Sequence, residues 1–207
     1  MTNWGATQQE AEESLPGDEV VGQSKYRSTR AVTVNAPVEL VWPWLVQLGQ
    51  GRGGLYSYDW LENLLGLDIH SADRIVPDYQ HLAVGDLVRL VPEGTQPPLR
   101  FTVKQVEPPR LLVLGPAGPR EEAFTARMPF PCWTFRLTPM PGHRTRLVVR
   151  FQSDFEPNLI GWVAYKYALA PVHFVMERKM LLGIKRLAER MQRTDQIAGL
   201  GSGPGAG

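Results

Sequence analysis

Residues 31–45 read AVTVNAPVELVWPWL, and this stretch decides the fold. The overlapping segment Tyr26–Val34 alternates loosely in polarity and ends in β-branched residues, which predicts a strand. Asn35 is a suitable helix cap, and the proline two residues later is tolerated because its missing N–H has no partner in a first turn. We expect this helix to reach about Leu48, with a bend or a break at Pro43. The fold should therefore begin with a strand joined directly to a helix.

From Asp86 onward, apolar and polar residues alternate with a period of two. This pattern indicates antiparallel strands separated by turns that contain proline and glycine. Trp133, Phe135 and Leu137 fall on one face of such a strand, and the polar residues between them fall on the other. The predicted strands after the first are residues 86–91, 99–107, 110–114, 122–127, 132–138 and 144–155.

Two further helices are predicted. A short one covers Tyr58–Leu65, and a long one covers Asn158–Arg193, with a kink expected at Pro171. On a helical wheel the end of the long helix has an apolar side that should cover the sheet, comprising Met176, Met180, Ile184, Leu187 and Met191. The opposite side, expected in solvent, carries Arg178, Lys179, Lys185, Arg186, Glu189 and Arg190.

This order of elements, with the strand-to-helix joint at residues 31–45, resembles the START-like (SRPBCC) helix-grip superfamily, which includes polyketide cyclase and lipid-transport proteins. The resemblance covers about residues 26–193. It implies an α+β fold in which a curved antiparallel sheet of about seven strands wraps around a long C-terminal helix, with a ligand cavity between them. The long connection Gly49–Leu82 looks like the insert of a subgroup with no assigned activity.

Length and composition favour one domain with two tails. The chain has 207 residues, of which 43% are apolar and 21% are charged. Residues 1–24 are polar and acidic, and residues 195–207 are rich in glycine, so we expect both segments to be disordered and dispensable. The remaining residues, 25–194, should form a single START-like ligand-binding domain.

Charge and cysteine content exclude several classes of protein. A net charge of +1 provides no field for nucleic acid, and the lone Cys132 excludes an internal disulfide or a multi-cysteine zinc site. The first 25 residues lack the apolar core of a signal peptide, so we expect a cytoplasmic protein. The apolar run Leu159–Met176 is interrupted by Lys166, Pro171 and His173, so we expect no membrane span.

Three local patterns favour a structural interpretation over a chemical one. The segment Gly49–Gly54 matches G-x-G-x-x-G, but a helix and not a strand precedes it, which favours a flexible loop with a solvated Arg52 over a nucleotide site. Asp68, His70 and Asp73 suit turns and caps better than acid/base work or a metal site. Cys132 is expected to be a small buried residue and not a nucleophile. We therefore expect no metal and no cofactor.

The long helix carries the most informative polar residues. His173 falls on its apolar side, Glu177 follows one turn later, and Lys166 falls near the angle of His173 across the expected kink. A buried unpaired charge is costly, so Glu177 and His173 should pair with each other, with groups on the sheet or with a ligand. Aromatic residues near the insert, sheet and helix could cover the apolar body of a ligand. The predicted ligand-binding set is Tyr56, Tyr58, Trp60, Trp133, Phe135, Trp162, Lys166, His173 and Glu177.

These observations favour binding or transport of a hydrophobic or amphipathic small molecule in a cavity between the sheet and the C-terminal helix. The alternative is a polyketide aromatase/cyclase-like enzyme, in which His173, Glu177 or Asp59 would move a proton in the same cavity. A third possibility is a peripheral membrane protein. The sequence leaves enzymatic turnover open and identifies no catalytic residue.

Overall fold

The computed structural model describes residues 3–22, 24–57, 70–95, 99–119, 130–154 and 170–201. The helices are α1 (Gln8–Glu12), α2 (Asp18–Val21), α3 (Val38–Val46) and α4 (Ala170–Gly201), with one 3-10 turn at Pro77–Tyr79. The strands are β1 (Tyr26–Val34), β2 (Leu87–Arg89), β3 (Arg100–Glu107), β4 (Leu111–Pro116), β5 (Phe130–Met140) and β6 (Arg144–Asp154). No helix within these ranges is both long and apolar enough to cross a bilayer.

The strands form one antiparallel sheet in the order β1-β6-β5-β4-β3-β2. Each strand predicted within the described ranges is present, with ends that shift by at most two residues. The described part of the chain contains six strands and not about seven. The additional strand predicted at residues 122–127 lies outside the described residues, as does the short helix predicted at Tyr58–Leu65.

The inner face of the sheet is apolar because alternate residues of each strand point to it. Trp133, Phe135 and Leu137 of β5 lie there, as predicted, and pack with residues of α3 and α4 such as Trp44 and Ile184 in one hydrophobic cluster. The helices α3 and α4 therefore cover this face, which places the core between the helices and the sheet.

The joint after β1 differs from the prediction in its cap. Helix α3 begins after Pro37, and the Asn35 side chain does not cap it. The Asn35 backbone N–H instead donates to Glu189 Oε1 of α4 at 2.8 Å. Helix α3 also continues past Pro43 to Val46, since the missing N–H removes one hydrogen bond without ending a helix that packed neighbours hold in place.

Of the predicted apolar side, helix α4 buries Met180, Ile184 and Leu187, whereas Met176 and Met191 are only partly buried. Lys185, which was predicted to lie in solvent, donates to the Thr33 carbonyl at 2.7 Å and pairs with Glu189, so this prediction is wrong. A lysine stem can follow apolar surface while its ammonium group meets a carbonyl at the end of a strand. The predicted helical residues 158–169 fall outside the described part. Pro171, where a kink was expected, lies in the first turn of α4, a position at which proline is tolerated.

The prediction of disordered ends does not hold where the structure describes them. Helix α4 continues through residues 195–201, and residues 202–207 lie outside the described ranges. At the other end, Thr7 and Glu10 form a capping box at the start of α1, and Leu15 and Val21 are buried. Residues 3–22, here named the N-terminal strap, pack mainly on the outer face of the sheet, whereas Trp4 at their start packs against the inner cluster and Arg178 of α4.

Buried Arg150 of β6 holds the strap to the sheet. Its guanidinium group donates to the backbone carbonyls of Glu10, Ala11 and Glu13, to Thr29 Oγ1, and to Asp18 Oδ2, at distances of 2.8 to 3.1 Å. The planar fork of arginine suits such a set of acceptors, which includes carbonyls left free at the end of α1.

Further ion pairs join acidic strap residues to arginines on the outer face. Glu10 pairs with Arg146 at 2.7 Å, and Glu13 pairs with Arg136. The acidic composition that predicted disorder therefore complements a basic sheet face, and pairing with that face compensates the cost of ordering the strap.

We predict that Arg150→Lys lowers the free energy of unfolding by about 2 to 4 kcal/mol, because one ammonium group cannot serve five acceptors around a buried position. Arg144→Lys is the matched control, since Arg144 is exposed at the start of the same strand. It should change the free energy by less than about 0.5 kcal/mol in urea unfolding. Equal effects of the two substitutions would contradict the role given to Arg150.

We also predict that Ile184→Ala lowers the free energy of unfolding by about 2 to 5 kcal/mol, because Ile184 is fully buried between α4 and the sheet. Exposed Arg186, two residues later on the same helix, is the control, and Arg186→Ala should cost less than about 0.5 kcal/mol. Thermal and urea unfolding of both variants measure the difference. A loss below about 1 kcal/mol for Ile184→Ala would show that α4 does not close the core.

Candidate functional site

The structure brings part of the predicted ligand-binding set together. Trp133, Phe135, His173 and Glu177 lie on or against the inner face at the start of α4. Tyr56 lies further along the core, against Gly183 of α4. A Cβ atom added to Gly183 would be only 2.6 Å from the Tyr56 carbonyl oxygen. The other four members, Tyr58, Trp60, Trp162 and Lys166, fall outside the described residues.

A cluster of polar groups lies in this otherwise apolar region, with His173 half-buried and the other members buried. We name it the inner polar cluster: Ser28, Arg30, Trp133, His173 and Glu177. Arg30 of β1 forms an ion pair with Glu177 of α4, and their side chains are 0% and 1% exposed. Trp133 Nε1 donates to Glu177 Oε1 at 2.7 Å. Of the partners expected for Glu177, the structure therefore shows groups on the sheet, Arg30 and Trp133, and not His173.

This ion pair has a high energetic cost that its hydrogen bonds offset. Removing two charges from water costs several kcal/mol per ion, and attraction compensates the cost only where further hydrogen bonds satisfy the groups. Trp133 supplies one such bond to Glu177, and Arg30 Nη2 also donates to the Tyr26 hydroxyl at 3.4 Å. The pair therefore joins β1, β5 and α4 at one point.

His173 shares the Arg30 guanidinium group. Its Nδ1 lies 3.3 Å from Arg30 Nη1, and its ring centroid lies 4.2 Å from that of Phe151 and 6.1 Å from that of Trp133. Burial, and then the positive charge of Arg30, lower the pKa of His173 to about 3. The imidazole is therefore neutral near pH 7 and acts as an uncharged polar group.

The sequence analysis did not identify Arg30 or Ser28. The signal was present in the alternation of β1, because Val32 and Val34 point to the core and residues two and four positions earlier share their face. Ser28 is buried, and its Oγ has no hydrogen-bond partner in the described structure. The inner face thus carries polar groups where β1 runs beside the start of α4.

The glycine-rich loop at residues 49–54 is closed by its own backbone. The Gly49 and Gly54 amides and carbonyls exchange hydrogen bonds of 2.9 and 3.0 Å. Arg52 donates to the carbonyls of Val46 and Tyr79 at 3.1 and 2.8 Å, so the expectation that it is solvated is wrong. Arg52 instead satisfies a carbonyl at the end of α3, which helix ends require.

Buried Gln47 fixes the following part of the insert, a role that the sequence did not indicate. Its Nε2 donates to the Arg74 carbonyl at 3.1 Å, and its Oε1 accepts from the Val76 amide at 3.1 Å. The Gly53 amide donates to the Gln47 carbonyl at 2.7 Å. One residue at the end of α3 thus holds both described parts of the insert, the first through its backbone carbonyl and the second through its side chain.

The remaining candidate residues that the structure describes lie at the surface or in the core of the sheet. His70 and Asp73 are exposed, Asp68 lies outside the described residues, and no three His, Cys, Asp or Glu residues within the described ranges are placed to hold a metal ion. Cys132 is buried on the outer side of the sheet, near Val113, and burial raises the pKa of its thiol to about 12. A thiol of that pKa is a poor nucleophile near pH 7, in agreement with the sequence interpretation.

The lowered pKa of His173 predicts a pH dependence of stability. The unfolded chain binds a proton at this residue below about pH 6.5 and the native protein only near pH 3, so stability falls as the pH falls between these values. The contribution lost by about pH 5 is about 2 kcal/mol at most. Urea unfolding from pH 8 to about pH 5 should therefore give a shallower pH dependence for His173→Phe than for the native sequence. Parallel curves would show that His173 titrates alike in both states.

No family sequence model matches the chain, and no curated protein sequence matches it significantly. Among solved structures, protein NE0264 from Nitrosomonas europaea has a TM-score of 0.52 at 14% identity, over 83% of this chain and 99% of that one. Truncated norcoclaurine synthase from Thalictrum flavum has a TM-score of 0.46 at 14% identity, over 78% and 92%. The Zhui aromatase/cyclase from Streptomyces sp. R1128 has a TM-score of 0.48 at 17% identity, over 80% and 94%. At such identities the likeness concerns the fold alone, and with a curved antiparallel sheet packed on a long terminal helix this chain has the helix-grip fold.

Proposed function

We propose that this protein binds a small hydrophobic or amphipathic molecule between the inner face of its sheet and α4, beside the inner polar cluster. The observation that carries the proposal is the fully buried Arg30–Glu177 ion pair on an apolar face. Replacing a buried ion pair by well-packed apolar residues is often neutral or stabilising, so the stability of the core does not by itself account for the pair. Anchoring the polar group of a ligand would account for the ion pair.

The surroundings of the cluster suit a ligand with an apolar body and one polar end. The ring centroids of Phe135 and Phe151 lie 4.9 and 6.2 Å from that of Trp133, and of the two phenyl rings that of Phe151 is partly exposed. The imidazole of His173 and the hydroxyl of Ser28 supply polar atoms beside these rings. Small-molecule sites commonly combine a mostly apolar lining with a few placed polar groups.

The state of the two titratable groups on α4 supports binding over acid–base catalysis. Glu177 is engaged by Arg30 and Trp133, and His173 is neutral with its Nδ1 directed at Arg30. Neither group is poised to accept a proton from a substrate near pH 7. The cyclase-like alternative would need another base, and its remaining candidate, Asp59, lies outside the described residues.

The test compares two double variants that each remove one ion pair. Arg30→Met/Glu177→Gln removes the inner pair and keeps an oxygen for Trp133, whereas Arg146→Met/Glu10→Gln removes an outer pair. Native mass spectrometry of the purified proteins detects a copurified molecule, and titration with the uncharged dye Nile red measures binding.

We predict saturable binding of Nile red by the native sequence and by the outer variant, and binding at least about tenfold weaker by the inner variant, because a lost anchor of about 1.4 kcal/mol corresponds to that factor. Melting temperatures confirm that both variants fold. Equal binding by the two folded variants would place the ligand elsewhere, and no saturable binding by the native sequence, together with no copurified molecule, would overturn the proposed function.

A further inference from the structure

We propose that His173 is a fixed hydrogen-bond donor through Nε2, and that the ligand's polar group is therefore an uncharged oxygen acceptor such as a ketone or ester carbonyl. This inference rests on the proposed function and goes further by assigning the chemistry of the ligand and the role of one side chain.

The first step concerns the position of the proton on the imidazole ring. A guanidinium group carries N–H donors only, so Arg30 Nη1 can form a hydrogen bond with His173 Nδ1 only if Nδ1 is an acceptor. A neutral imidazole has one donor and one acceptor nitrogen. The contact with Arg30 therefore places the proton on Nε2.

The second step concerns what Nε2 meets. In the described structure the hydrogen bond of His173 is the one at Nδ1, and the residue is half-buried, so Nε2 can meet a further group. Ser28 Oγ is buried without a partner. Ser28 pairs with Phe151 across the β1–β6 ladder, and the Phe151 ring contacts the His173 ring, so both polar groups lie beside the same phenyl ring. Buried polar groups nearly always have partners, and a ligand oxygen at this ring would accept from both Ser28 Oγ and His173 Nε2.

The third step concerns charge. Arg30 and Glu177 neutralise each other, and His173 is neutral, so the described part of the cluster has no net charge. A ligand ammonium group would face an N–H donor, and a ligand carboxylate would be buried beside a cation already paired with Glu177. Both would pay a desolvation cost that a carbonyl avoids. The cluster therefore favours an uncharged acceptor.

The same contact excludes His173 as a general base. Its basic nitrogen, Nδ1, faces a cation, and accepting a hydrogen bond from that cation withdraws electron density from the ring and strengthens Nε2–H as a donor. His173 thus fits the polarisation of a carbonyl oxygen better than the removal of a proton.

The first experiment tests the tautomer without any ligand. Long-range ¹H–¹⁵N correlation spectra of the histidine side chains distinguish a ring protonated on Nε2 from one protonated on Nδ1, and loss of a signal in His173→Phe assigns the resonance among the four histidines. We expect the Nε2–H form, unchanged from about pH 8 to about pH 5. An Nδ1–H form, or a ring that becomes protonated in this range, would overturn the inference even where the protein binds a ligand.

The second experiment tests the acceptor with probes of one size: 2-acetylnaphthalene, 2-ethylnaphthalene and 2-(aminomethyl)naphthalene, the last a cation near neutral pH. For the native sequence we expect the ketone to bind about tenfold more tightly than the hydrocarbon, and the cation to bind most weakly. His173→Phe should reduce the preference for the ketone to within about twofold. His173→Gln should retain part of it, since an amide can accept from Arg30 and still donate.

The outcomes separate this inference from the proposed function. If the native protein binds Nile red but binds the three probes equally, or binds none of them, the assignment of a carbonyl acceptor is wrong and the binding function stands. If His173→Phe keeps the full preference for the ketone, another group donates the hydrogen bond, and the role of His173 is wrong. If neither Nile red nor any probe binds and no molecule copurifies, the proposed function fails and this inference fails with it.

Discussion

The ion pair between Arg30 on β1 and Glu177 on α4 fixes how the terminal helix lies on the sheet. Two polar contacts further along α4 lie near the end of β1: Lys185 donates to the Thr33 carbonyl, and Glu189 accepts from the Asn35 amide. Glu177 lies eight residues before Lys185 and Glu189 lies four residues after it, so these contacts with β1 and the residue that follows it span about three turns of α4. The first strand therefore sets the register of the last helix, and the apolar residues between these contacts complete the core.

The sheet uses a second buried arginine on its opposite face, and the two arginines are satisfied differently. Arg30 faces a carboxylate in an apolar interior, whereas Arg150 faces mainly backbone carbonyls of the N-terminal strap. The strap covers outward-facing residues of β1, β5 and β6 and buries apolar side chains such as Val148 together with Leu15. Because the strap covers this face, the inner face beside α4 is the part of the sheet at which polar groups meet an apolar aromatic surface.

Local periodicity predicted the strands and helices. The features that it did not predict depend on pairing between residues that are distant in the sequence. The strands and the apolar side of α4 follow from spacing within a few residues, and the structure has them where the sequence placed them. The order of the strap was missed because an acidic, sparsely apolar segment has no internal reason to fold, and its partners lie more than a hundred residues away. The inward position of Arg30 could have been predicted, since alternation along β1 places it on the same face as Val32 and Val34. Its pairing with Glu177 could be predicted only as far as a group on the sheet, because spacing along one helix does not say which strand residue lies opposite.

Burying an ion pair between a strand and a helix costs free energy, and here the pair also determines the protonation of His173. An isolated imidazole can carry its proton on either nitrogen or become a cation below about pH 6.5. The guanidinium group of Arg30 excludes both alternatives. It donates to Nδ1, which fixes the tautomer, and its positive charge opposes protonation of the ring. Glu177 in turn holds Arg30 in place and cancels its charge, so the field at the rings of Trp133 and Phe151 remains that of a neutral site. The pair thereby converts a residue capable of several chemistries into one with a single orientation and a single polarity, as a selective binding site requires.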